Sequence, residues 1–207
     1  INSIIKNTKK INYEIILVDN ASNDGSIGFF KKLFDIKIIE NYKNLGFGIA
    51  NNIGLNHCKG KYVFLLNSDT ELLNNAVFEF FKFAEKAEKN ISCIGCVLKD
   101  KNLNKTHSFG LFPTMFDDLY FQLVKLPLNN FLNVKNEYFT HDFSKRPFHE
   151  VDYITGAALF IKKSVISKFG FFDPRFFMYY EETDLQKKYL SFGFKSVLIN
   201  TPNIVHL

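Results

Sequence analysis

Three groups of acidic and amide side chains in this sequence have the types and positions that chemistry requires. Two groups follow apolar runs that predict buried strands and the third opens a predicted helix: Asp19-Asn20, Asn67-Ser68-Asp69 and Glu181-Glu182-Thr183-Asp184. In open α/β sheets, the ligand crevice lies at the carboxyl ends of the strands. Sparse carboxylates at such a place suit a hard cation, Mg²⁺ or Mn²⁺, together with phosphate oxygens. The pattern therefore predicts a site for a divalent cation and a diphosphate leaving group.

Each group also has a simpler interpretation. Asp69 or Thr70 taken alone could merely cap the segment that follows. Two strands that end in Asp, with a third acidic group, favour a functional site. Glu181, Glu182 and Asp184 are favoured at a helix start by the helix dipole. Crowded carboxylates also raise each other's pKa and can act as a general base, and the sequence leaves both interpretations open.

The segments around these groups alternate between strand and helix patterns. Strands are predicted at 13–20, 36–40, 61–66 and 91–98, and helices at 26–34, 47–58 and 74–90. Residues 100–150 have no clear period and predict a variable insertion of loops and short helices. The alternation returns at 151–170, with a loop and helix over 171–193 and a strand over 195–200. Such alternation predicts βαβ units and a mostly parallel, buried sheet.

Composition limits the class of protein. The chain has 207 residues, of which 46% are hydrophobic and 23% charged, as in a soluble globular protein. The formal net charge of +5 permits an anionic ligand or peripheral contact with an anionic membrane. No dense Lys/Arg stripe is present, so nucleic acid is not an expected partner. No apolar run is long enough to span a bilayer.

Three cysteines, Cys58, Cys93 and Cys96, do not form a disulfide framework pattern. Cys93 and Cys96 lie in a predicted strand, where side chains three residues apart point to opposite faces. We therefore interpret them as small buried residues rather than as zinc ligands, and expect a reducing compartment.

Four blocks of sequence, in order, resemble a known family. They are "EIILVDNASNDGS" (14–26), "NLGFGIANNIGL" (44–55), "YVFLLNSDTEL" (62–72) and "TGAALFIKKSVISKFGFFDPRFFMYYEETDLQKKYLSFG" (155–193). The chain resembles the family 2 inverting glycosyltransferases, especially the rhamnosyltransferase-like branch that builds bacterial surface polysaccharides. The resemblance implies an α/β, Rossmann-like GT-A fold, with a mostly parallel central sheet flanked by helices and a variable insertion. P-loop, dinucleotide-binding and nucleophile-elbow motifs are absent from the sequence.

The resemblance also implies roles for individual residues. The implied nucleotide-sugar side comprises Asp19, Asn20, Asn44, Gly46, Asn51, Asn67, Ser68, Asp69, Gly156 and Ala157. Within that set, Asp19 resembles the residue that holds the base or ribose. Asn67-Ser68-Asp69 resembles the DxD motif, in which the last Asp binds the metal, and His206 matches a further metal ligand. Glu182 matches the catalytic base, with Glu181 and Asp184 as alternatives.

The resemblance implies one domain, 1–207. Its parts are a nucleotide-sugar half (1–99), the insertion (100–150) and an acceptor and catalytic half (151–207). The implied reaction transfers a sugar from a UDP- or dTDP-sugar, dTDP-rhamnose among them, to a glycan or lipid-linked acceptor. The implied location is the cytoplasm, at the inner face of the plasma membrane.

Two departures from the family pattern keep alternatives open. The family's base is usually Asp, whereas residue 182 is Glu. The family's first strand is expected before Ile1 and the chain ends at Leu207, which predicts a fragment or a degenerate copy. A non-catalytic nucleotide-sugar-binding or scaffold domain is therefore a second hypothesis, and a sugar-phosphate nucleotidylyltransferase is a third.

Overall fold

The computed structural model describes residues 1–114 and 146–207. Over residues 2–66, helices and strands alternate as the apolar patterns predict. In chain order they are α1 (Asn2–Asn7), β1 (Ile16–Asp19), α2 (Ser26–Leu33), β2 (Lys37–Glu40), α3 (Phe47–Leu55), β3 (Tyr62–Leu66), β4 (Thr70–Leu72), α4 (Ala76–Lys86), β5 (Ile91–Gly95) and β6 (Phe109–Gly110). The three-residue strand β4 was not predicted, because it is too short to show a period.

The second range completes the sheet. Its elements are β7 (Phe148–Val151), β8 (Tyr153–Ile154), β9 (Ala158–Lys162), α5 (Lys163–Phe169), α6 (Glu181–Ser191), β10 (Lys195–Ile199) and β11 (Ile204–His206). The insertion predicted at 100–150 lies largely over residues 115–145, outside the described residues. At its described ends, β6 and β7 are strands rather than the predicted loops and short helices.

Five strands form the central sheet in the order β3-β9-β5-β10-β7. β5 and β10 are parallel, whereas the β3–β9, β5–β9 and β7–β10 pairs are antiparallel. Separate two-stranded sheets pair β1 with β2 in parallel, β4 with β11 and β6 with β8. The α/β class with a central sheet flanked by helices is therefore confirmed.

The prediction of a mostly parallel sheet is wrong for these five strands. A continuous apolar run indicates that both faces of a strand are covered, but it does not indicate the direction of the strand. β3 runs toward the edge at which Asn67 follows it, whereas β9 begins at that edge with Ala158 opposite Leu66. β9 therefore runs back along β3 in the opposite direction.

Helices cover both faces of the sheet. On one face, α4 contributes Ala76, Phe80 and Ala84, spaced one turn apart as the amphipathic pattern predicts. On the other face, α5 and α6 contribute Val165 and Leu185 among others. Within the described residues, no helix has the length and apolar character needed to cross a bilayer.

The two buried cysteines lie on opposite sides of this sheet, as their spacing predicts. Cys93 belongs to the apolar cluster beneath α5 and α6, and Cys96 to the cluster beneath α4. Both side chains are almost fully buried. Their interpretation as core residues is therefore confirmed.

Candidate functional site

Hydrogen bonds to the turn at 156–157 join two of the predicted groups at one edge of the central sheet. The segment 67–69 follows β3 there, and the Asn67 N–H donates to the carbonyl of Ala157 over 3.0 Å. The neighbouring Gly156 N–H donates to Oε1 of Glu182 over 3.3 Å. The predicted metal-binding segment, the Gly156-Ala157 turn and the predicted base are thus linked contact by contact.

The third predicted group connects to the same edge through the loop before α3. Asn20 Nδ2 donates to the Gly46 carbonyl over 3.1 Å, and its Oδ1 accepts from Asn41 Nδ2 over 2.9 Å. Asn44 Oδ1 accepts from the Gly46 N–H over 2.9 Å. These bonds hold the loop 41–46 against the end of β1.

Asp19 is buried at the end of β1, and its carboxylate accepts the Ser22 N–H at 3.1 and 3.3 Å from its two oxygens. An ionised carboxylate offers about four lone-pair sites, so Asp19 can accept further donors. Asn51 is different, because its Nδ2 donates to the Phe47 carbonyl one turn earlier in α3. Ser68 is exposed beside Asp69. The predicted roles of Asp19, Asn51 and Ser68 stay predictions.

Phe47 is a contact residue that the sequence did not reveal. Its ring packs on Gly156, where an added Cβ would lie 3.0 Å from Phe47 Cζ. Its N–H donates to the Phe177 carbonyl over 3.1 Å. Phe47 therefore connects α3 both to the turn at 156–157 and to the loop before α6. The only signal in the sequence is its place between two glycines, Gly46 and Gly48.

Gly46 permits this junction, and a substitution should weaken it. Its φ is 81° and ψ is 173°, a region open essentially to glycine, and an added Cβ would overlap the Phe177 carbonyl. Gly170 has the same backbone angles, φ 81° and ψ 174°, but its nearest neighbour would be Lys188 Nζ at 3.7 Å. We expect Gly46→Ala to lower the free energy of unfolding by about 1–3 kcal/mol more than the matched Gly170→Ala does. Urea denaturation measures both, and equal losses would contradict the predicted overlap.

Asp69 and His206 form a pair with metal-ligand chemistry. Asp69 Oδ1 lies 3.3 Å from His206 Nε2, and both side chains are partly exposed. β11 brings His206 opposite Thr70 in β4, and the Leu207 N–H donates to the Asp69 carbonyl over 2.8 Å. Carboxylate oxygen and imidazole nitrogen are both ligands of first-row divalent cations.

This pair can supply only part of a coordination shell. Across the described ranges, no group of three or more His, Cys, Asp or Glu residues is placed to hold a metal ion. A cation held by Asp69 and His206 would take its remaining ligands from phosphate oxygens and water, as Mg²⁺ commonly does. The residues present therefore fit a cation that binds together with a diphosphate.

The first turn of α6 separates its three carboxylates by environment. Glu182 is half-buried and faces Gly156, whereas Glu181 is 4% exposed. Asp184 lies near the cationic side chains of Arg175 and Lys188. Of the two adjacent glutamates, only Glu182 is accessible to a substrate. This arrangement favours Glu182 over Glu181 as a base.

Glu181 is enclosed rather than reactive. Among the described residues, no hydrogen-bond donor reaches its buried Oε2. Burial raises the pKa of Glu181 above its ordinary value of 4.5, and the charge of Glu182 adds to this shift. The folded protein therefore holds the Glu181 proton more tightly than the unfolded chain does.

This raised pKa predicts a pH dependence of stability. The contribution of Glu181 is fully present below the ordinary pKa of 4.5 and is lost as pH rises through the folded-state value. Glu181→Gln should remove this loss, so that the variant gains stability relative to the native protein between mildly acidic and neutral pH. Urea denaturation at one mildly acidic and one neutral pH measures the effect. Glu71→Gln, at an exposed glutamate, is the control. A difference between native and variant that is independent of pH would contradict the prediction.

Gln186 is a second residue that the sequence did not reveal. Its amide donates to the carbonyls of Ile154 (2.7 Å) and Glu182 (2.9 Å), and its Oε1 accepts the Ile154 N–H (3.0 Å) and the Ser196 hydroxyl (2.9 Å). It is 1% exposed. It thus fixes α6 against β8 and β10, one turn after Glu182. Its position one helical turn after Glu182 is the only signal in the sequence.

The arrangement of sheet and helices is that of the GT-A glycosyltransferases. The structure of GalNAc-T7 with UDP, GalNAc and Mn²⁺ superposes on this chain with a TM-score of 0.68 and 18% sequence identity. The match covers 99% of this chain and 39% of the GalNAc-T7 chain. The structure of the mannosyltransferase PcManGT from Pyrobaculum calidifontis, with GDP-Man and Mn²⁺, superposes with a TM-score of 0.66 and 14% sequence identity. This match covers 99% of this chain and 51% of the PcManGT chain. At these identities the likeness establishes the fold.

The family model of glycosyl transferase family 2 matches residues 1–169, and the chain belongs to this family. The poly(ribitol-phosphate) beta-glucosyltransferase of Bacillus spizizenii is 29% identical over 98 residues, which cover 44% of this chain and 16% of that protein. An uncharacterized glycosyltransferase of Haemophilus influenzae is 33% identical over 76 residues, covering 35% and 30%. The matched segments thus span less than a third of either relative.

Proposed function

We propose that this protein is a metal-dependent inverting glycosyltransferase that uses a nucleoside-diphosphate sugar. The observation that carries the proposal is the linkage of Glu182 to the Asp69–His206 pair. It runs from Glu182 to Gly156 and, through the adjoining Ala157, to Asn67, with hydrogen bonds of 3.3 and 3.0 Å. This linkage supports a site in which an accessible carboxylate and a pair of metal-ligand type share one edge of the sheet. Membership of glycosyl transferase family 2 supports the same reaction class.

The donor would lie between the end of β1 and the segment 67–69. Asp19 has acceptor capacity left for a donor group of the base or ribose, and Asn20 and Asn44 hold the neighbouring loop. The solved relatives contain UDP or GDP-Man. For this chain we propose a UDP- or dTDP-sugar, with dTDP-rhamnose among the candidates, as its resemblance to the rhamnosyltransferase-like branch implies.

Asp69 and His206 would hold Mg²⁺ or Mn²⁺. When bound, the ion supplies charge neutralisation to the departing diphosphate. The neighbouring Asn67 carries no charge, so Asp69 is the carboxylate of the segment 67–69.

Glu182 would act as the general base. Its carboxylate takes the proton of an acceptor hydroxyl, and the hydroxyl oxygen forms a bond to the anomeric carbon of the donor sugar. The bond from that carbon to the diphosphate breaks on the opposite face, so the configuration inverts. The Gly156 N–H holds one oxygen of Glu182, and Gln186 fixes the helix turn that carries it.

The acceptor in this proposal is a glycan or a lipid-linked saccharide of a bacterial surface polysaccharide. The partial match to a poly(ribitol-phosphate) beta-glucosyltransferase supports sugar transfer to a polymeric acceptor. We place the reaction in the cytoplasm, at the inner face of the plasma membrane, where such acceptors are assembled.

Calorimetric titration with UDP, dTDP and GDP, each with and without Mn²⁺, tests the donor site. We expect manganese-dependent binding of UDP or dTDP. Absence of binding by a folded protein would refute the donor site. The presence of Glu where the family usually has Asp motivates a second candidate, a non-catalytic nucleotide-sugar-binding domain. Binding of a nucleotide sugar with no donor hydrolysis and no transfer would favour that candidate.

A further inference from the structure

A run of large exposed side chains lies immediately before α6. Phe177, Met178, Tyr179 and Tyr180 are 55%, 52%, 73% and 59% exposed. We call residues 177–180 the aromatic loop. Contiguous apolar groups on a surface commonly mark a place where a ligand or a partner binds.

The backbone of this loop is held in an unusual conformation. Tyr179 and Tyr180 have φ of 70° and 66°, in the left-handed region that non-glycine residues seldom adopt. Consecutive residues of this kind persist only where the surrounding structure holds them, and they cluster at ligand-binding sites.

Hydrogen bonds at both ends fix the loop. The Phe177 carbonyl accepts the Phe47 N–H over 3.1 Å, and the Tyr180 carbonyl accepts the Asp184 N–H over 2.8 Å. The backbone is therefore anchored to α3 and α6 while the side chains stay open to solvent. A surface fixed before binding loses less entropy when a ligand docks.

The position of the loop identifies what it would contact. Glu182 comes two residues after Tyr180 in the chain. If Glu182 is the base, the acceptor hydroxyl lies within hydrogen-bond reach of its carboxylate. The body of the acceptor must then pass next to the aromatic loop. The negative face of an aromatic ring attracts the C–H groups of a sugar ring, and tyrosine adds a hydroxyl. We propose that Tyr179 and Tyr180 stack on the acceptor saccharide, an inference that rests on the proposed function.

The nearby charges favour a saccharide over an anionic membrane. Glu182 and Asp184 follow the loop in the first turn of α6, and their carboxylates repel anionic phospholipids. Arg175 is paired with Asp173, its Nη2 lying 2.6 Å from Oδ2. A neutral sugar ring meets no such repulsion.

Saturation-transfer NMR with methyl pyranosides tests the proposal. The probes are methyl α-glucoside, methyl β-galactoside, methyl α-rhamnoside and methyl N-acetyl-β-glucosaminide, each with UDP and Mn²⁺ present. Tyr179→Asn and Tyr180→Asn remove a ring but tolerate the left-handed backbone. Tyr179→Phe and Tyr180→Phe keep the ring. Phe192→Ala removes a ring that is 55% exposed at the other end of α6.

We expect at least one pyranoside to bind through its ring C–H groups. The Asn variants should bind it about two- to tenfold more weakly, and the Phe variants and Phe192→Ala should bind it as the native protein does. UDP affinity should be the same in all of them. Unchanged pyranoside binding in the Asn variants would overturn the proposal.

Two other results would overturn it as well. One is that no pyranoside binds while UDP does, and the other is that the loop binds phosphatidylglycerol vesicles instead. Failure of the native protein to bind both UDP and dTDP in the calorimetric titration would refute the proposed function separately, because that titration contains no pyranoside.

Discussion

Glu182→Gln is expected to slow sugar transfer by about 10²- to 10⁴-fold, the usual contribution of a general base, while donor binding stays unchanged. In the native protein, Glu182 accepts a hydrogen bond from the Gly156 N–H over 3.3 Å. The amide oxygen of Gln can accept the same bond, so the local structure should persist. It cannot take a proton from the acceptor hydroxyl. Single-turnover transfer and nucleotide calorimetry on the same preparation measure the two quantities.

Comparison with the neighbouring carboxylates makes this prediction specific. Glu181 is enclosed, so Glu181→Gln should change stability rather than transfer. Asp184→Asn should have a smaller effect than Glu182→Gln. Full turnover by Glu182→Gln would show that the base is assigned to the wrong residue, and a larger loss in Asp184→Asn would move the assignment there.

Asp69→Asn is expected to weaken manganese-dependent donor binding by at least about tenfold, since even the loss of an outer-shell partner costs this much in metal sites. The amide removes the charge that attracts the cation. Binding measured without metal should change little, because Asp19 and the loop 41–46 lie on the nucleotide side. Calorimetry with and without Mn²⁺ measures both affinities.

Glu71 provides a matched control for Asp69. It is an exposed carboxylate two residues later, in β4. Glu71→Gln should leave the manganese dependence intact, whereas His206→Ala should weaken it because Nε2 of His206 lies 3.3 Å from Asp69 Oδ1. Equal effects of Asp69→Asn and Glu71→Gln would indicate a general charge effect rather than ligation.

Much of the fold is predictable because its main segments are strongly periodic. The amphipathic pattern of 74–90 predicts α4, observed at Ala76–Lys86, and the apolar run 61–66 predicts β3, observed at Tyr62–Leu66. Strand direction is not predictable in this way. An apolar run records burial on both faces, and the direction of β9 depends on where the chain enters the sheet after residue 150.

The candidate site is predictable where its residues end a strand or open a helix. This rule selects Asp69 and Glu182, and the structure connects the segments that carry them. It does not select Phe47 or Gln186, because their contacts join residues far apart in the chain. The left-handed pair Tyr179 and Tyr180 is also invisible to the rule, since tyrosine has no preference for that conformation.

The hydrogen bond between Phe47 and Phe177 has a thermodynamic consequence. It ties the start of α3, on the proposed donor side, to the loop proposed to meet the acceptor. Energetic coupling between two binding sites is reciprocal. If a bound donor changes the affinity for the acceptor by some factor through this bond, a bound acceptor changes the affinity for the donor by the same factor. Synergy carried by this bond would reside in a peptide group, and Gly46→Ala would disturb it because the added Cβ overlaps the Phe177 carbonyl.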